Sequence, residues 1–433
     1  MSKQPKILIV SRCAWDDNIG TSSTLSNIFS QYDSNNLAMI YVESRVPNTK
    51  CCHAFFQIPE IQMTKQLLHW GKEVGQPVES QIIDDKNVKD EEKMLSFVRG
   101  HRSFFFSLMR EILWLLGRWR SKALVKFVND FNPDVVWLDG SANIFLDRLY
   151  TYVLQVAGKP GVIYLMDDNY TFKSLTGYRY LYHYLHRCTM KKVVSMCREV
   201  LVISPKMKRE FDEIFKVDST IITKGIDYSN LNFSEEPLHT PVRLLYIGQI
   251  IYGRDYTLAL LLNELASINS QGIKVEFSIY TNNIVPKKLK RLIESCKGVK
   301  LYKAVPYNEV PRIIKENDVL LFMESLASKY SRDARLSFST KITDYLSSGK
   351  CILAVGPEDS APMEYFRDEK CAVIAHNREE IVKGLLEISN EQRTKELGKA
   401  AFEAGRRNHD KRVIQARLDI VLEECHKLSL TDK

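Results

Sequence analysis

Short apolar runs alternate with longer amphipathic stretches along most of this chain. In the first half, strand-like runs fall at Lys6–Val10, Leu37–Val42, Pro133–Asp139, Pro160–Asp167, Glu199–Ser204 and Thr220–Thr223. In the second they fall at Arg243–Ile247, Val275–Tyr280, Val299–Tyr302, Val319–Phe322, Cys351–Val355 and Ala372–Ile374. Helical periodicity occupies the intervals of the second half, near Thr257–Ile268, Lys287–Cys296, Glu309–Lys315, Thr340–Ser348, Pro362–Phe366 and Glu379–Ile388. Uniformly apolar strands separated by helices predict parallel sheets with both faces covered, hence an α/β fold. Asn232–Pro241 (N-F-S-E-E-P-L-H-T-P) interrupts the alternation with polar residues and two prolines. It reads as a linker between two doubly wound, Rossmann-like domains. The expected boundaries are 1–231, the linker 232–241, and 242–405, with residues 406–433 forming a helix that returns to the first domain. Residues 60–100 are polar and charged, and predict a helix and a mobile loop.

Two stretches depart from plain alternation. Residues 101–129 combine a helical stripe (Phe104, Phe105, Leu108, Ile112, Leu115, Leu116, Trp119) with six basic residues against one acid, Glu111. The basic residues are Arg102, Arg110, Arg118, Arg120, Lys122 and Lys126. A basic, aromatic, amphipathic helix suits a membrane interface, and a core helix with a solvated basic face is the competing reading. Residues 173–194 add further tyrosines and bases to the same kind of surface.

The second stretch is Phe338–Pro357, F-S-T-K-I-T-D-Y-L-S-S-G-K-C-I-L-A-V-G-P. Ser339 and Thr340 are N-cap types, so a helix begins here. Ile342, Tyr345 and Leu346 form its apolar face, and Lys341 and Asp344 share another. Gly349 suits the left-handed residue that ends a helix. One lysine and one carboxylate at a helix start suit a phosphate beside a sugar diol.

Composition narrows the class. The chain has 433 residues, a formal net charge of +8, 45% hydrophobic and 26% charged residues. Those proportions suit a globular enzyme of two or three domains, and the charge permits anionic partners without demanding nucleic acid. No recognised nucleic-acid motif occurs. Nine cysteines without CxxC spacing predict reduced thiols in a cytosolic protein. No apolar run reaches the roughly 18 residues of a membrane span. There is no GxGxxG, and His53, His183, His186 and His376 show no ligand spacing, so neither a dinucleotide cofactor nor a metal is expected.

Three segments then resemble the C-terminal domain of GT-B glycosyltransferases, most closely family 4. They are Y-I-G-Q-I-I-Y-G-R-D-Y (246–256), N-D-V-L-L-F (317–322) and S-T-K-I-T-D-Y-L-S-S-G-K-C-I-L-A (339–354), with K-G-I-D (224–227) ahead of them. The resemblance implies two Rossmann-like domains facing a cleft, and metal-free transfer of a sugar from a UDP- or GDP-sugar. It places Gly248, Gln249 and Arg254 near the donor diphosphate, with Lys341 reaching the same phosphates, Ser339 and Thr340 beside it, and Asp344 on the ribose. Charge grows on the leaving diphosphate, so cationic side chains are what a metal-free site requires. Gln249 stands where the family usually has arginine, and Leu336 where an acid is expected.

In the first domain the resemblance places Gly20 and Thr21 against the donor phosphates. It places Asp167 and Asp168 toward the acceptor, with Asp16 and Asp17 as further general bases should the reaction invert. Asp139 also ends a strand where ligands gather in such sheets. The implied function is a retaining transferase of surface polysaccharide synthesis, bound peripherally at the inner membrane face through 101–129. Its partners are a nucleotide sugar and a lipid-linked or glycan acceptor. A nucleotide-sugar epimerase and a non-catalytic binding subunit of the same fold are the alternatives.

Overall fold

A computed structural model describes residues 4–17, 20–68, 73–78, 104–171, 177–272, 274–332 and 334–431. Residues 79–103, which include Arg102 and most of the expected loop, and residues 172–176 lie outside the described residues. The chain divides into two compact units. The first comprises Met1–Ile203, Lys208–Thr223 and Gln415–Lys433, and the second Ser204–Met207 and Lys224–Ile414.

The first unit runs β1 (Ile7–Val10), α1 (Gly20–Ile28), β2 (Leu37–Tyr41), β3 (Ala54–Gln57), α2 (Glu60–Leu68), β4 (Gln76–Val78) and α3 (Phe104–Leu116). It continues with α4 (Lys122–Phe131), β5 (Val135–Asp139), α5 (Ile144–Ala157), β6 (Gly161–Leu165), α6 (Gly177–Met196), β7 (Cys197–Val202), α7 (Pro205–Phe215) and β8 (Thr220–Ile221). The strands form one sheet, ordered β4-β3-β2-β1-β5-β6-β7-β8. All pairs are parallel except β3 with β4. Strand β1 sits centrally, with Ile7 beside both Leu37 and Val135. Every residue of β1, β2, β5 and β6 is buried, which is why they read as unbroken apolar runs.

Two strands escape the sequence pattern. β3 is only four residues long, and β4 carries Pro77 at the sheet edge, one of the few places a strand tolerates proline.

The basic stretch expected as one helix is two. Gly117 follows the last residue of α3 and packs on Met63, where an added Cβ would lie 2.7 Å from the sulfur. Ser121 then caps α4, its Oγ accepting from the Leu124 N–H at 3.1 Å. The two faces of α3 have separate fates. Trp114 is buried with its Nε1 donating to Glu60 Oε1 at 2.7 Å, whereas Leu108, Met109, Ile112, Leu115 and Leu116 are exposed. Trp119 belongs to the core too, donating to the Trp114 carbonyl at 2.8 Å. The tryptophans therefore serve packing, and the uncovered face is aliphatic.

The second unit runs β9 (Val242–Ile247), α8 (Arg254–Ile268), β10 (Val275–Thr281), α9 (Lys287–Ser295), β11 (Val299–Lys303), α10 (Val310–Lys315), β12 (Val319–Met323) and α11 (Ser328–Ser331). After these come α12 (Lys341–Ser347), β13 (Cys351–Val355), α13 (Ala361–Glu369), β14 (Val373–Ala375), α14 (Arg378–Glu387), α15 (Glu391–His409) and α16 (Lys411–Thr431), whose residues from Gln415 belong to the first unit. Its six strands lie in the order β11-β10-β9-β12-β13-β14, all parallel. That is the Rossmann order, with the chain reversing direction across the sheet between β9 and β12. Residues 232–241 carry no regular secondary structure and fall within this unit.

Candidate functional site in the second unit

The switch point of this sheet is open by construction. β9 and β12 pair only through Val319 with Leu244 and Leu320 with Leu245, so the carboxyl ends of the two strands are not registered with each other. In open α/β sheets ligands bind in this crevice. The residues that leave the two strands converge here.

From β9 comes Gly248, whose N–H donates to the Tyr280 carbonyl at 2.9 Å. Buried Tyr246 points its hydroxyl to the Gln249 carbonyl at 2.7 Å, which holds the following turn, while the Gln249 side chain is exposed. Gly253, with φ of 79°, starts α8. A Cβ there would lie 2.3 Å from Ser325 Oγ, so the turn requires glycine. Arg254 then opens the helix with its guanidinium already engaged. Nη2 donates to both carboxylate oxygens of Glu324 at 2.8 Å, and Nε to the Met323 carbonyl at 3.1 Å. Glu324 follows β12 directly and is nearly buried.

Lys341, the first residue of α12, completes the cluster. Its Nζ lies 5.7 Å from the Tyr246 ring centre and against Gly248, where a Cβ would fall 2.0 Å from it. Burial lowers its pKa to about 8, Arg254 adding to the effect and Glu324 and Asp344 opposing it. The site thus holds one guanidinium neutralised by a carboxylate and one ammonium that, among the described residues, has no hydrogen-bonded carboxylate of its own.

Asp344 lies one turn further along α12 and accepts from Lys224 Nζ at 2.5 Å. Lys224 is placed by its own segment, which pairs with the break between α15 and α16. There Ile226 N–H donates to the His409 carbonyl and Lys411 N–H to the Ile226 carbonyl, each at 2.8 Å. Ser339 and Thr340 are half-buried before α12. Neither makes the expected side-chain cap to the second or third helical residue. Thr340 has helical backbone angles at the cap position, and Ser339 Oγ accepts only a long bond from Lys341 N–H at 3.4 Å. Gly349 has the expected left-handed backbone, φ 66°. Leu336 is fully buried.

The structure therefore brings Gly248, Arg254, Lys341 and Asp344 into one region of the second unit, and adds Glu324, Tyr246 and Lys224. Glu324 had a readable signal, an acid directly after the buried run V-L-L-F-M. It is the same signal that singled out Asp139 and Asp167.

In the first unit the corresponding switch point lies between β1 and β5. Asp139 ends β5, fully enclosed, and its carboxyl is pushed up to about 6 by burial, against the hydrogen bonds from Ser11 and Trp137. Gly20 and Thr21 begin α1. Asp167 is exposed after β6. Asp168 is buried, accepting from the Thr171 N–H at 2.9 Å, the Tyr170 N–H at 3.3 Å and the Thr171 hydroxyl, so its oxygens brace a turn. Asp17 braces another, accepting from Ser26 Oγ at 2.6 Å and Lys50 N–H at 3.2 Å. Asp16 forms a backbone bridge with Asn48. Among the described residues no three His, Cys, Asp or Glu side chains are arranged to hold a metal ion.

Three solved structures share this architecture over nearly the whole chain. Sucrose-phosphate synthase from Thermosynechococcus elongatus is 9% identical over 98% of this chain and 99% of its own, with a TM-score of 0.63. TarM of S. aureus, in complex with fondaparinux, alpha-GlcNAc-glycerol and UDP, is 11% identical over 96% and 99%, with a TM-score of 0.57. WaaG, a glycosyltransferase involved in lipopolysaccharide biosynthesis, is 12% identical over 96% and 99%, with a TM-score of 0.55. The fold is GT-B. A GT-B likeness at such identities concerns the fold alone. This chain also spans 61% of the matching chain of the GtfA/B complex. No family model and no curated protein matches it.

Proposed function

We propose that this protein is a glycosyltransferase that moves a sugar from a UDP- or GDP-sugar to a lipid-linked glycan acceptor in surface polysaccharide synthesis, with retention at the transferred carbon. One observation carries the reading: the Lys341 ammonium, held with Arg254 and Glu324 in the crevice at the β9–β12 switch point. A half-buried cation without a hydrogen-bonded carboxylate is what a diphosphate leaving group needs as its charge grows. Arg254, oriented by Glu324, is the second cation. Asp344 is the ribose contact, its carboxylate oriented by the ion pair with Lys224. Gly248 admits the Lys341 head because it has no Cβ. Gln249, Ser339 and Thr340 line the donor side in this reading. In the same reading Gly20 and Thr21 are assigned to the donor phosphates, and Asp167 and Asp168 to the acceptor. The architecture shared with a UDP-bound TarM and with WaaG supports a nucleotide-sugar donor and a surface-glycan acceptor. The exposed aliphatic face of α3 supports peripheral binding to the inner membrane face.

The test is a thermal-shift panel of nucleotide sugars, followed by transfer or donor-hydrolysis assays. A specific donor raises the melting temperature by mass action. Lys341→Ala is expected to lose both that shift and at least about 100-fold in turnover, as removal of one charge-stabilising donor does elsewhere. Full activity in Lys341→Ala would remove the assignment. Buried Leu336, in place of a carboxylate, favours a second reading, a donor-binding subunit without turnover. Tight donor binding with no transfer or hydrolysis would select it.

A further inference from the structure

The first unit contains a concave site that sugar transfer, as read above, does not use. A cavity of about 470 Å³ opens between α5 and α6, with Arg120 from the segment before α4 on its wall. Arg148, Thr151 and Tyr152 of α5 line it, and so do Thr189 and Lys192 of α6. Their spacing within each helix, three or four residues apart, turns them toward the same space.

Three of the lining side chains are cations, and among the described residues none is hydrogen-bonded to a carboxylate, although Arg148 is ion-paired with Glu111. Arg120 rests on aromatic faces, 4.9 Å from the Trp119 ring centre and 5.5 Å from that of Tyr152. Arg148 has its nearest acid, Glu111 Oε2, at 3.8 Å, and its Nη1 is buried without a hydrogen-bond partner. Lys192 forms no ion pair with any described carboxylate. The carboxyl in the lining, Asp147, is 3% exposed and accepts from Thr189 Oγ1 at 2.5 Å. Burial raises its pKa well above the usual carboxylate range, the Thr189 hydrogen bond and the Arg148 charge opposing the effect. Arginine and lysine side chains on a cavity wall give phosphate oxygens the stronger, charge-assisted kind of hydrogen bond.

We infer that this pocket binds a phosphate or diphosphate group, whose oxygens accept from Arg120, Arg148 and Lys192. The site lies wholly in the first unit and does not rest on the donor assignment in the second. The phosphate arrives either on a soluble ester or on the head of an amphiphile. Exposed Leu181, Leu185 and Cys188 form one helical stripe on α6 that leads to Lys192, apolar surface beside a phosphate-sized charge.

The experiment titrates inorganic pyrophosphate by calorimetry into Lys341→Ala protein, which removes the cation assigned above to the donor diphosphate. It repeats the titration with Arg120→Gln and Lys192→Gln added. Binding that persists in Lys341→Ala and weakens at least about tenfold with the two glutamines is the expected result. Arg120→Lys with Lys192→Arg should keep most of it, and matching melting temperatures exclude misfolding. A second arm uses phosphatidylcholine vesicles with and without phosphatidic acid. Sedimentation that requires phosphatidic acid together with Arg120 and Lys192 assigns the phosphate to a lipid head, and pyrophosphate binding alone assigns it to a soluble ester. The inference is overturned if pyrophosphate affinity and vesicle recovery are both unchanged by the two glutamines, or if neither probe binds.

Discussion

At the scale of single residues, Lys341 ties stability to function through its charge. Its pKa in the folded chain is about 8, below the 10.5 of a free lysine, because burial and the neighbouring Arg254 disfavour the ammonium. The unfolded chain therefore binds more protons between those values, and stability contributed at this site rises with pH from about 8 to 10.5. Below pH 8 the full cost of the buried charge is present, on the order of 3 kcal/mol by the usual conversion. Lys341→Met removes that cost. It is expected to raise the melting temperature at pH 7, with the advantage shrinking as pH approaches 10, measured by thermal unfolding across that range. Activity should respond with the opposite sign. The ammonium is the form that meets a diphosphate, so kcat/KM should fall as pH rises through about 8, and Lys341→Arg should move that limb to higher pH. A profile flat from pH 7 to 9.5 would detach Lys341 from the reaction.

At the scale of elements, α12 owes its position to what crosses behind it. The helix α15 packs against α12 and β13. Gly398 permits the approach, since a Cβ there would lie 2.4 Å from the Gly349 carbonyl oxygen, a backbone atom that cannot swing aside. Gly349 is itself the left-handed residue that ends the α12 turn. Gly398→Ala is therefore expected to cost about 1–3 kcal/mol in chemical denaturation, the usual penalty of overpacking. It should also weaken donor binding through displacement of Lys341 and Asp344. An unchanged unfolding midpoint would show that the crossing has slack. Gly398 sits mid-helix in an ordinary amphipathic stretch, and its role is invisible until the second element is in place.

At the scale of the molecule, the exposed aliphatic face of α3 decides what the surface of the first unit can meet. Leu115 and Leu116 are 64% and 60% exposed, whereas Trp114 of the same helix is buried in the core. Among the described residues no helix is long and apolar enough to cross a membrane. An uncovered aliphatic stripe beside basic residues is the arrangement of an interfacial helix. Sedimentation with anionic vesicles is expected, and Leu115→Ser with Leu116→Ser should abolish it without lowering the melting temperature, because neither side chain supports the core. Arg110 is a poor probe of the same idea. It is bound to Glu60 at 2.5 Å and stacked over Phe145 at 4.5 Å, so its loss would damage packing. Vesicle binding unchanged by the serines would leave α3 without a membrane role.

The alternation of apolar and amphipathic segments determined the parallel α/β character of both sheets and the helix that carries Lys341 and Asp344, and the family resemblance added Gly248 and Arg254. Burial on both faces writes itself into a strand as an unbroken apolar run, and a helix shows its period in the sequence. Tertiary structure alone decided which charges are spent and which remain available. Arg254 is neutralised by Glu324, 70 residues away, and Asp344 by Lys224, 120 residues away. Asp168 is consumed by its own turn, and Trp114 and Trp119 by the core. The stretch that looked like one interfacial helix is two, broken between Leu116 and Lys122. Pairings at such separations follow from strand order and crossing helices, which no local pattern encodes.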